Sequence, residues 1–312
     1  MTAIIRTTFD QSTNRDLLKT GTLRNLFDNT LSKAKVEYPN LCNDITDSDD
    51  YVRDMRIASL GPAVDVTQGQ NVPIQQPVYG STKEYTQRSF ATGFRMTHRM
   101  EHFNKYKLWA KWSGQLAEVM KKSKDIEIAT MFNNLTSATS TFGVGFDGLE
   151  IASTAHTGLL AGSTTDNYDN YLNADMSVTA VQNGRYYFET LKDDLGLWMG
   201  AKADTLWYEP TFHFKAKEIT GSDYKPHEFS NTINVIPEMD LKLFEYHRLT
   251  STTCWGLAAK NDPQYDINVI TTMEPQFFEK DAPDNTLDKI ALSYQYFCYG
   301  FGDPRLLYVG RT

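Results

Sequence analysis

Residues 98–135 read HRMEHFNKYKLWAKWSGQLAEVMKKSKDIEIATMFNNL, and this stretch decides the fold. It contains no proline, and Gly114 is its only glycine. Apolar side chains recur along it at helical spacing, which predicts one long amphipathic helix. These side chains are Phe103, Tyr106, Trp109, Trp112, Leu116, Val119, Ile128, Met131, Phe132 and Leu135. Such a helix would be roughly 55 Å long, whereas a compact chain of this size has a radius of gyration of about 20 Å. The stretch therefore favours an elongated or flat molecule with an architectural role.

The composition is that of a folded globular protein. The chain has 312 residues, of which 40% are hydrophobic and 22% are charged, so it can bury a sizeable core. Its three cysteines, Cys42, Cys254 and Cys298, form no CxxC pair, which is typical of a reducing compartment. No signal peptide and no run of 18 apolar residues is present. We therefore expect a chain made in a cytoplasm that does not enter a membrane.

Charge is distributed unevenly along the chain. The net charge is −8, which argues against a dedicated nucleic-acid binder. Between Ser81 and Lys124, however, ten Lys or Arg stand against three Glu, a local net charge of +7. Within this basic zone we select four candidates for contact with DNA. They are Lys111, Lys121, Lys122 and Lys124.

The segments before the helix predict two features that lack a core of their own. Residues 1–45 contain a patchy amphipathic helix, too short to fold alone, which we interpret as an arm lying on another surface. In residues 84–96, EYTQRSFATGFRM, apolar and polar residues alternate as in a strand with one apolar face. Paired with a segment in residues 52–75, this strand would form an extended β-hairpin, which needs a neighbouring surface for stability.

The rest of the chain alternates helices and strands, which gives an α+β fold. Short strands are predicted at LEIAST, TLWYEP, NTINVI, TCWGLAA and DINVIT, and helices from about Asp175 to Leu195 and over FHFKAKEIT. Residues 287–310 predict two long apolar strands turned at Gly302-Asp303-Pro304.

Two short motifs match enzyme patterns. His98, Glu101 and His102 match H-x-x-E-H, in which two histidines one helical turn apart hold Zn²⁺ and the glutamate acts as a base. The basic flanks would repel the metal, so a metal-dependent hydrolase is only a remote alternative. Residues 143–148 match G-x-G-x-x-G, but a helix precedes them and a strand is expected to follow, the reverse of a nucleotide site. We therefore expect neither a catalytic site, nor a metal, nor a cofactor.

The order of the predicted elements resembles the major capsid proteins of tailed bacteriophages, which have the Hong Kong 97 fold, and the Mu-type major head subunits most of all. The order is polar arm, proline-interrupted hairpin, long helix, mixed α/β middle and long C-terminal strands. Four stretches carry the resemblance: RIASLGPAVDV, YTQRSFATGFRMT, DGLEIASTAH and FGDPRLLYVG.

The resemblance implies a division of the chain into an N-terminal arm (residues 1–50), an E-loop (51–95), a P-domain with the spine helix (96–150 and 274–312) and an A-domain (151–273). Arm and E-loop would each lie across a neighbouring subunit. The contact residues implied are Leu23, Leu26, Phe27, Lys83, Arg88, Phe90 and Phe94. Some capsids of this fold cross-link through an E-loop lysine, and Lys83 is the only lysine between residues 51 and 104.

The function implied is a non-enzymatic subunit that assembles with itself into hexamers and pentamers of an icosahedral shell around double-stranded DNA. The shell would form in the host bacterial cytoplasm and become the virion capsid. Scaffolding, portal and cement proteins would be separate partners. An encapsulin-type compartment, which has the same fold and packs cargo enzymes, is the nearest alternative. The basic zone favours DNA, although ion pairs between subunits would explain its lysines equally well.

Overall fold

The computed structural model describes residues 20–58, 60–103, 106–137, 144–158, 167–224, 233–283 and 287–312. Five α-helices lie in these ranges: α1 (Thr20–Lys33), α2 (His98–His102), α3 (Tyr106–Asn133), α4 (Val178–Thr190) and α5 (His213–Gly221). Eleven strands accompany them: β1 (Asn43–Thr46), β2 (Tyr51–Ile57), β3 (Tyr79–Thr86), β4 (Arg88–Met96), β5 (Tyr171–Leu172), β6 (Thr205–Tyr208), β7 (Lys242–Glu245), β8 (Trp255–Ala258), β9 (Ile267–Asp281), β10 (Lys289–Phe301) and β11 (Leu307–Gly310).

The long helix is α3, whose 28 residues span roughly 42 Å. The single helix predicted from residue 98 is divided into two: α2 ends at His102, and α3 begins at Tyr106. Trp109, Leu116 and Phe132 are buried as predicted. Val119 is 46% exposed, against the prediction, whereas its neighbours Ala117 and Met120 are buried.

Helix α1 packs on α3 of its own chain. Leu23 and Phe27 are 1% and 0% exposed, and they share a core cluster with Trp109. The hydroxyl of Ser113 donates to the carbonyl of Leu23 at 2.9 Å. Leu23 and Phe27 thus have no surface left for another subunit, which corrects their selection as inter-subunit contacts. Leu26 is half-buried, and the predicted arm residues 1–19 lie outside the described residues.

This packing predicts a large stability effect at Phe27. Phe27→Ala should lower the free energy of unfolding by about 3–5 kcal/mol, the usual cost of deleting a buried aromatic ring. Chemical denaturation measures the loss. Phe103→Ala is the matched control, because the Phe103 side chain is 60% exposed and should change stability by no more than about 0.5 kcal/mol. Similar small losses in both variants would contradict the placement of α1 in the core.

A four-stranded sheet in the order β1-β9-β10-β4 lies against α3. The alternating pattern of residues 88–96 is confirmed as a strand, but the pairing predicted for it is wrong. β4 pairs antiparallel with β10, whereas residues 84–86 of the predicted strand belong to β3 and pair with β2, as predicted. Phe90 stacks on Phe297 at 4.5 Å between ring centroids, and Phe94 lies against Trp112 at 5.6 Å. Both aromatics therefore pack within this chain and remain half-buried, and their role as contacts with a neighbouring subunit stays a prediction.

A five-stranded sheet in the order β5-β11-β8-β6-β7 forms the centre of the mixed α/β region. The predicted strands at TLWYEP, TCWGLAA and DINVIT, and the helix at FHFKAKEIT, are confirmed. Residues 149–154 form no strand, and among the described residues of NTINVI, 233–236, Ile233 forms a bridge and Ile236 begins a 3-10 helix. Helix α4 ends at Thr190, so Gly196, with φ 77°, belongs to a later turn and does not cap the helix.

Candidate functional site: a projecting hairpin and its anchored base

Strands β2 and β3 form a two-stranded antiparallel hairpin separate from both larger sheets. Between the strands the chain runs out and back through Gly69, whose φ of 89° suits the third position of a turn closed by Gln70 N–H donating to the Thr67 carbonyl. The Gln75 side chain links the two limbs by accepting from Gly61 N at 2.6 Å and donating to the Gly61 carbonyl at 3.3 Å. We call residues 60–77 the hairpin tip.

The hairpin tip presents apolar side chains to solvent. Every residue from 62 to 77 is exposed, and Ile74 is 92% exposed. Apolar side chains of the tip with high exposure are Leu60 (64%), Val64 (63%), Val72 (73%) and Ile74 (92%). An exposed set of branched apolar residues on a projecting segment is typical of a protein–protein contact.

The base of the hairpin is fixed by a buried ionic network. Arg56 of β2 lies 2.6 Å from Asp194 and 3.3 Å from Asp303. Arg305 contacts the same two carboxylates, at 2.6 Å and 2.9 Å. Both guanidinium groups are more than nine-tenths buried. Two carboxylates held between two arginines join strand β2 to the loop after α4 and to the turn before β11.

Lys83 anchors the other strand. Its ammonium donates to the carbonyls of Val144 and Phe301 and lies 4.5 Å from the centroid of the Phe301 ring. Burial lowers the pKa of Lys83 to about 8. The Lys83 ammonium is thus held by contacts within its own chain, and its role as an inter-subunit contact or cross-link donor stays a prediction.

Asp266 lies beside this anchor and titrates abnormally. Burial raises the pKa of Asp266 to about 6, although Asp303 N–H and the Asn268 side chain both donate to its carboxylate. Because the folded-state pKa exceeds the unfolded value, the folded state binds the proton more tightly. The stabilisation that the protonated Asp266 carboxyl gives to the fold is fully present below about pH 4 and is lost as the pH rises through 6.

The four lysines selected for DNA contact fall into different environments. Lys124 is 1% exposed and donates to Thr271 Oγ1 at 2.8 Å, with Glu274 3.5 Å away. It therefore cannot face DNA, which corrects its selection. Lys121 pairs with Glu274 at 2.8 Å and is 17% exposed. Lys122 is 55% exposed beside Glu118, and Lys111 is exposed, so these two remain candidates. Three of the four lysines, Lys121, Lys122 and Lys124, thus form ion pairs within their own chain.

Amine labelling should separate these lysines. Lys124 and Lys122 lie two residues apart on one helix, so each serves as the control for the other. We expect acetylation of Lys124 to be at least about tenfold slower, because reagent reaches it only after local opening, and a cost of 1.4 kcal/mol already gives that factor. Mass spectrometry of peptides from protein labelled in the folded state measures the ratio. Equal rates in folded protein, with equal rates in denaturant, would contradict the burial of Lys124.

The remaining predicted residues lie apart from the hairpin base. Arg88 approaches Glu127 at 3.4 Å on the half-buried face of β4. His98 and His102 are exposed on the short helix α2, and Glu101 faces Lys289 at 4.0 Å. Across the described ranges, no group of three or more His, Cys, Asp or Glu side chains is placed to hold a metal ion. No helix in the part of the chain with assigned structure combines the length and apolarity needed to cross a bilayer.

Sequence reasoning missed the hairpin tip as the apolar surface. It selected Phe90 and Phe94 because aromatic residues on an alternating strand are the strongest local signal. The signal that could have found the tip is the interleaving of Pro62, Pro73 and Pro77 with valine and isoleucine. Proline prevents regular pairing in a sheet, so apolar residues beside it have no strand partner to cover them.

The comparisons with known proteins concern the whole architecture. A family model described as phage capsid protein matches residues 80–310. The capsid of the cyanophage P-SCSP1u is similar in structure, with a TM-score of 0.57 at 10% identity over 89% of this chain and 88% of that chain. The mature capsid of bacteriophage PhiM1 gives 0.53 at 12% identity, over 89% and 87%.

A virus-like particle from Pyrococcus furiosus also has a similar structure, with a TM-score of 0.53 at 10% identity over 93% of this chain and 98% of that chain. No curated protein sequence matches the chain. At these identities the structural similarities show the fold, whereas the family match covers well over half of the sequence. The chain therefore belongs to the phage capsid protein family and has the Hong Kong 97 fold of tailed-phage capsids.

Proposed function

We propose that the chain is the major head subunit of a tailed bacteriophage, assembling as hexamers and pentamers into an icosahedral shell around double-stranded DNA. The observation that carries this proposal is the hairpin tip, whose apolar side chains are exposed in the isolated chain. Burying them against a second copy removes apolar surface from water, at about 25 cal/mol per Å². A closed symmetric assembly repeats this contact at every subunit, so individually weak contacts add up.

The proposed division of labour follows the same four regions as in the sequence analysis: residues 1–50 as arm, 51–95 as E-loop, 96–150 with 274–312 as P-domain, and 151–273 as A-domain. The pairing of β4 with β10 joins the end of the proposed E-loop region to the strands of the proposed P-domain in one sheet. The described part of the arm region contributes α1 to the core beside the long helix. The role we propose for the chain is structural, without catalysis.

We propose further that Lys111 and Lys122 face packaged DNA without reading its sequence, since exposed lysines contact phosphates in this way. Separate scaffolding, portal and cement proteins would assist assembly in the host cytoplasm, and the product would be the virion capsid.

An encapsulin-type shell is the second candidate, and the virus-like particle from Pyrococcus furiosus has a similar fold. The family match favours the phage capsid.

Electron microscopy of the purified chain, combined with sedimentation, tests the function. We expect closed shells or capsomer rings from the chain expressed alone or together with the genes beside it. Nuclease treatment of purified shells, followed by analysis of their contents, separates a DNA container from an enzyme compartment. A chain that stays monomeric at high concentration under both expression conditions would overturn the assembly proposal.

A further inference from the structure

His156 and Asp147 form a buried pair outside the ionic network described above. The His156 side chain is 0% exposed and that of Asp147 is 4% exposed, and His156 Nδ1 lies 2.6 Å from Asp147 Oδ2. On the other side of the ring, His156 Nε2 lies 3.2 Å from the carbonyl oxygen of Ile151. A carboxylate and a carbonyl only accept hydrogen bonds, and a neutral imidazole has one N–H to donate, whereas the imidazolium has two. Both contacts are therefore hydrogen bonds only when His156 carries a second proton.

The charges around the imidazole include one carboxylate in direct contact. Burial alone would raise the pKa of Asp147, but the hydrogen bond from His156 and its charge outweigh burial and hold that pKa below its ordinary value. The Tyr168 ring stacks on the imidazole at 4.7 Å between centroids. The Arg305 guanidinium lies 5.3 Å from the centroid of Tyr168 and is itself paired with Asp303 at 2.9 Å. The nearest cation is thus already neutralised, and Asp147 acts as the counterion of His156.

Asp147 lies in the described part of the G-x-G-x-x-G stretch, residues 144–148, which forms a tight turn. Phe146 N–H donates to the carbonyl of Gly302 at 2.9 Å. A Cβ at Gly145 would lie 2.9 Å from the same Gly302 carbonyl oxygen, so only glycine permits this close approach. The turn is therefore packed directly on the chain before β11, and this packing fixes the position of Asp147.

The same turn holds strand β3 of the hairpin. The hydroxyl of Ser81 donates to the Phe146 carbonyl at 2.6 Å, and the Lys83 ammonium donates to the Val144 carbonyl. Both acceptors are backbone groups within three residues of Asp147. A change in the contact between Asp147 and His156 therefore reaches β3 through the backbone of one short turn.

A second route leads from His156 to strand β2. Tyr168 N–H donates to the His156 carbonyl at 3.3 Å, and the Tyr168 hydroxyl donates to Asp303 at 2.9 Å. Asp303 lies 3.3 Å from the buried guanidinium of Arg56 on β2. The imidazole is thus linked to both strands at the hairpin base, by different contacts on each side.

We propose that His156 is a proton-controlled latch: as an imidazolium it holds the turn at residues 144–148 and the two strands of the hairpin base, and it releases them when its second proton leaves. The charge of a histidine changes in the range of about pH 5 to 8. The stabilisation is present where the imidazolium forms and is lost as the pH rises. This regulation goes beyond the proposed function and belongs to the single chain.

Amide hydrogen exchange of β2 and β3, measured by mass spectrometry on the dilute chain, tests the latch. Rates are divided by the intrinsic exchange rates at each pH to give protection factors. From about pH 6 to about pH 9, protection should fall about fivefold more in the wild type than in His156→Gln, whose side chain is uncharged throughout. Asp266 and Lys83 also titrate at the hairpin base, with pKa values of about 6 and about 8. Both chains retain these two groups, so their effect cancels in the comparison.

Two further variants separate the latch from a general loss of packing. Asp147→Asn removes the counterion but keeps a side-chain oxygen to accept from Leu149 N–H, as Asp147 Oδ1 does at 3.1 Å. It should give the same flat pH profile as His156→Gln. His213→Gln is the matched control, because His213 pairs with Glu245 of β7 at 3.0 Å and should leave the wild-type profile of the hairpin unchanged.

Nitrogen NMR of the histidine rings reads the protonation state directly in the wild-type chain. We expect His156 to carry protons on both ring nitrogens at about pH 6 and on one at about pH 9. The measurement needs no substitution, so it decides the question even if a variant fails to fold.

Two results would overturn the latch. One is a protection ratio between wild type and His156→Gln that stays constant over the whole pH range, and the other is a single protonated nitrogen on His156 at about pH 6. Neither measurement uses assembled shells. Failure of the latch would therefore leave the capsid proposal intact, and failure of the chain to assemble would leave the latch to be decided by exchange and NMR.

Discussion

A chain in which residues 60–77 are replaced by a short Gly-Asn-Gly linker is expected to fold normally and to form no shells. The deletion removes Leu60, Val64, Val66, Val72 and Ile74, all exposed in the single chain. If each contributes about 1–2 kcal/mol when covered, every copy loses on the order of 5 kcal/mol or more of contact energy. Sedimentation and negative-stain microscopy should therefore show only monomers or small oligomers at concentrations where the wild type assembles.

Folding of the shortened chain should be unaffected, because the deleted side chains are exposed and contribute little to any core. We expect its free energy of unfolding to stay within about 0.5 kcal/mol of the wild type. Substituting Gln68 and Gln70 by alanine is the matched control, since it alters exposed polar residues at the same turn and should leave assembly unchanged. Normal shells from the shortened chain would show that the hairpin tip is not an assembly contact.

Replacing Asp194 by alanine is expected to destabilise the folded chain by about 3–5 kcal/mol, measured by chemical denaturation. The side chain of Asp194 is 9% exposed and lies 2.6 Å from both Arg56 and Arg305. Its removal leaves two buried guanidinium groups with Asp303 as their remaining counterion. The same change should loosen the hairpin base, visible as faster amide exchange in β2.

An exposed ion pair provides the control for Asp194. Glu189 pairs with Arg185 at 2.9 Å, but both side chains are largely solvated, so Glu189→Ala should cost no more than about 0.5 kcal/mol. A loss of less than 1 kcal/mol in Asp194→Ala would show that the network does not hold the hairpin base.

The pH dependence gives a second check on Asp194. Burial alone would raise the pKa of Asp194, but the two arginines outweigh it and hold the pKa below its ordinary value. The unfolded chain therefore binds the proton first as the pH falls. The stabilisation by Asp194 is present above about pH 4 and is lost below it. The stability difference between wild type and Asp194→Ala should accordingly shrink in acid.

The sequence predicted helices and strands well where the apolar spacing is regular. The core positions of α3 and the strands β6, β8 and β10 follow from apolar periodicity, because local spacing decides which side chains share a face. The break between α2 and α3 was not predicted. The exposure of Val119 also escaped prediction, because two surfaces, α1 and the sheet, divide the circumference of the helix between them.

At the candidate site, the sequence did not predict which side chains are buried. Lys124 and Lys122 are two residues apart in one basic run, yet one is 1% and the other 55% exposed. Phe90 and Phe94 have the pattern of a contact face, yet Phe297 of β10 and Trp112 of α3 pack against them within the same chain. In both cases the partner comes from a distant part of the sequence, so no local pattern could identify it.

By itself the sequence determined the fold class, the long helix, the anionic chain with a basic zone and the resemblance to phage capsid proteins. These depend on composition, on periodicity and on the order of elements along the chain. The tertiary structure alone decided that β4 joins β10, that Arg56 and Lys83 fix the hairpin, and that the tip carries the exposed apolar surface. Burial is a property of the neighbours a side chain acquires, and such a neighbour can be distant in sequence, as Phe301 is from Lys83 at a separation of 218 residues.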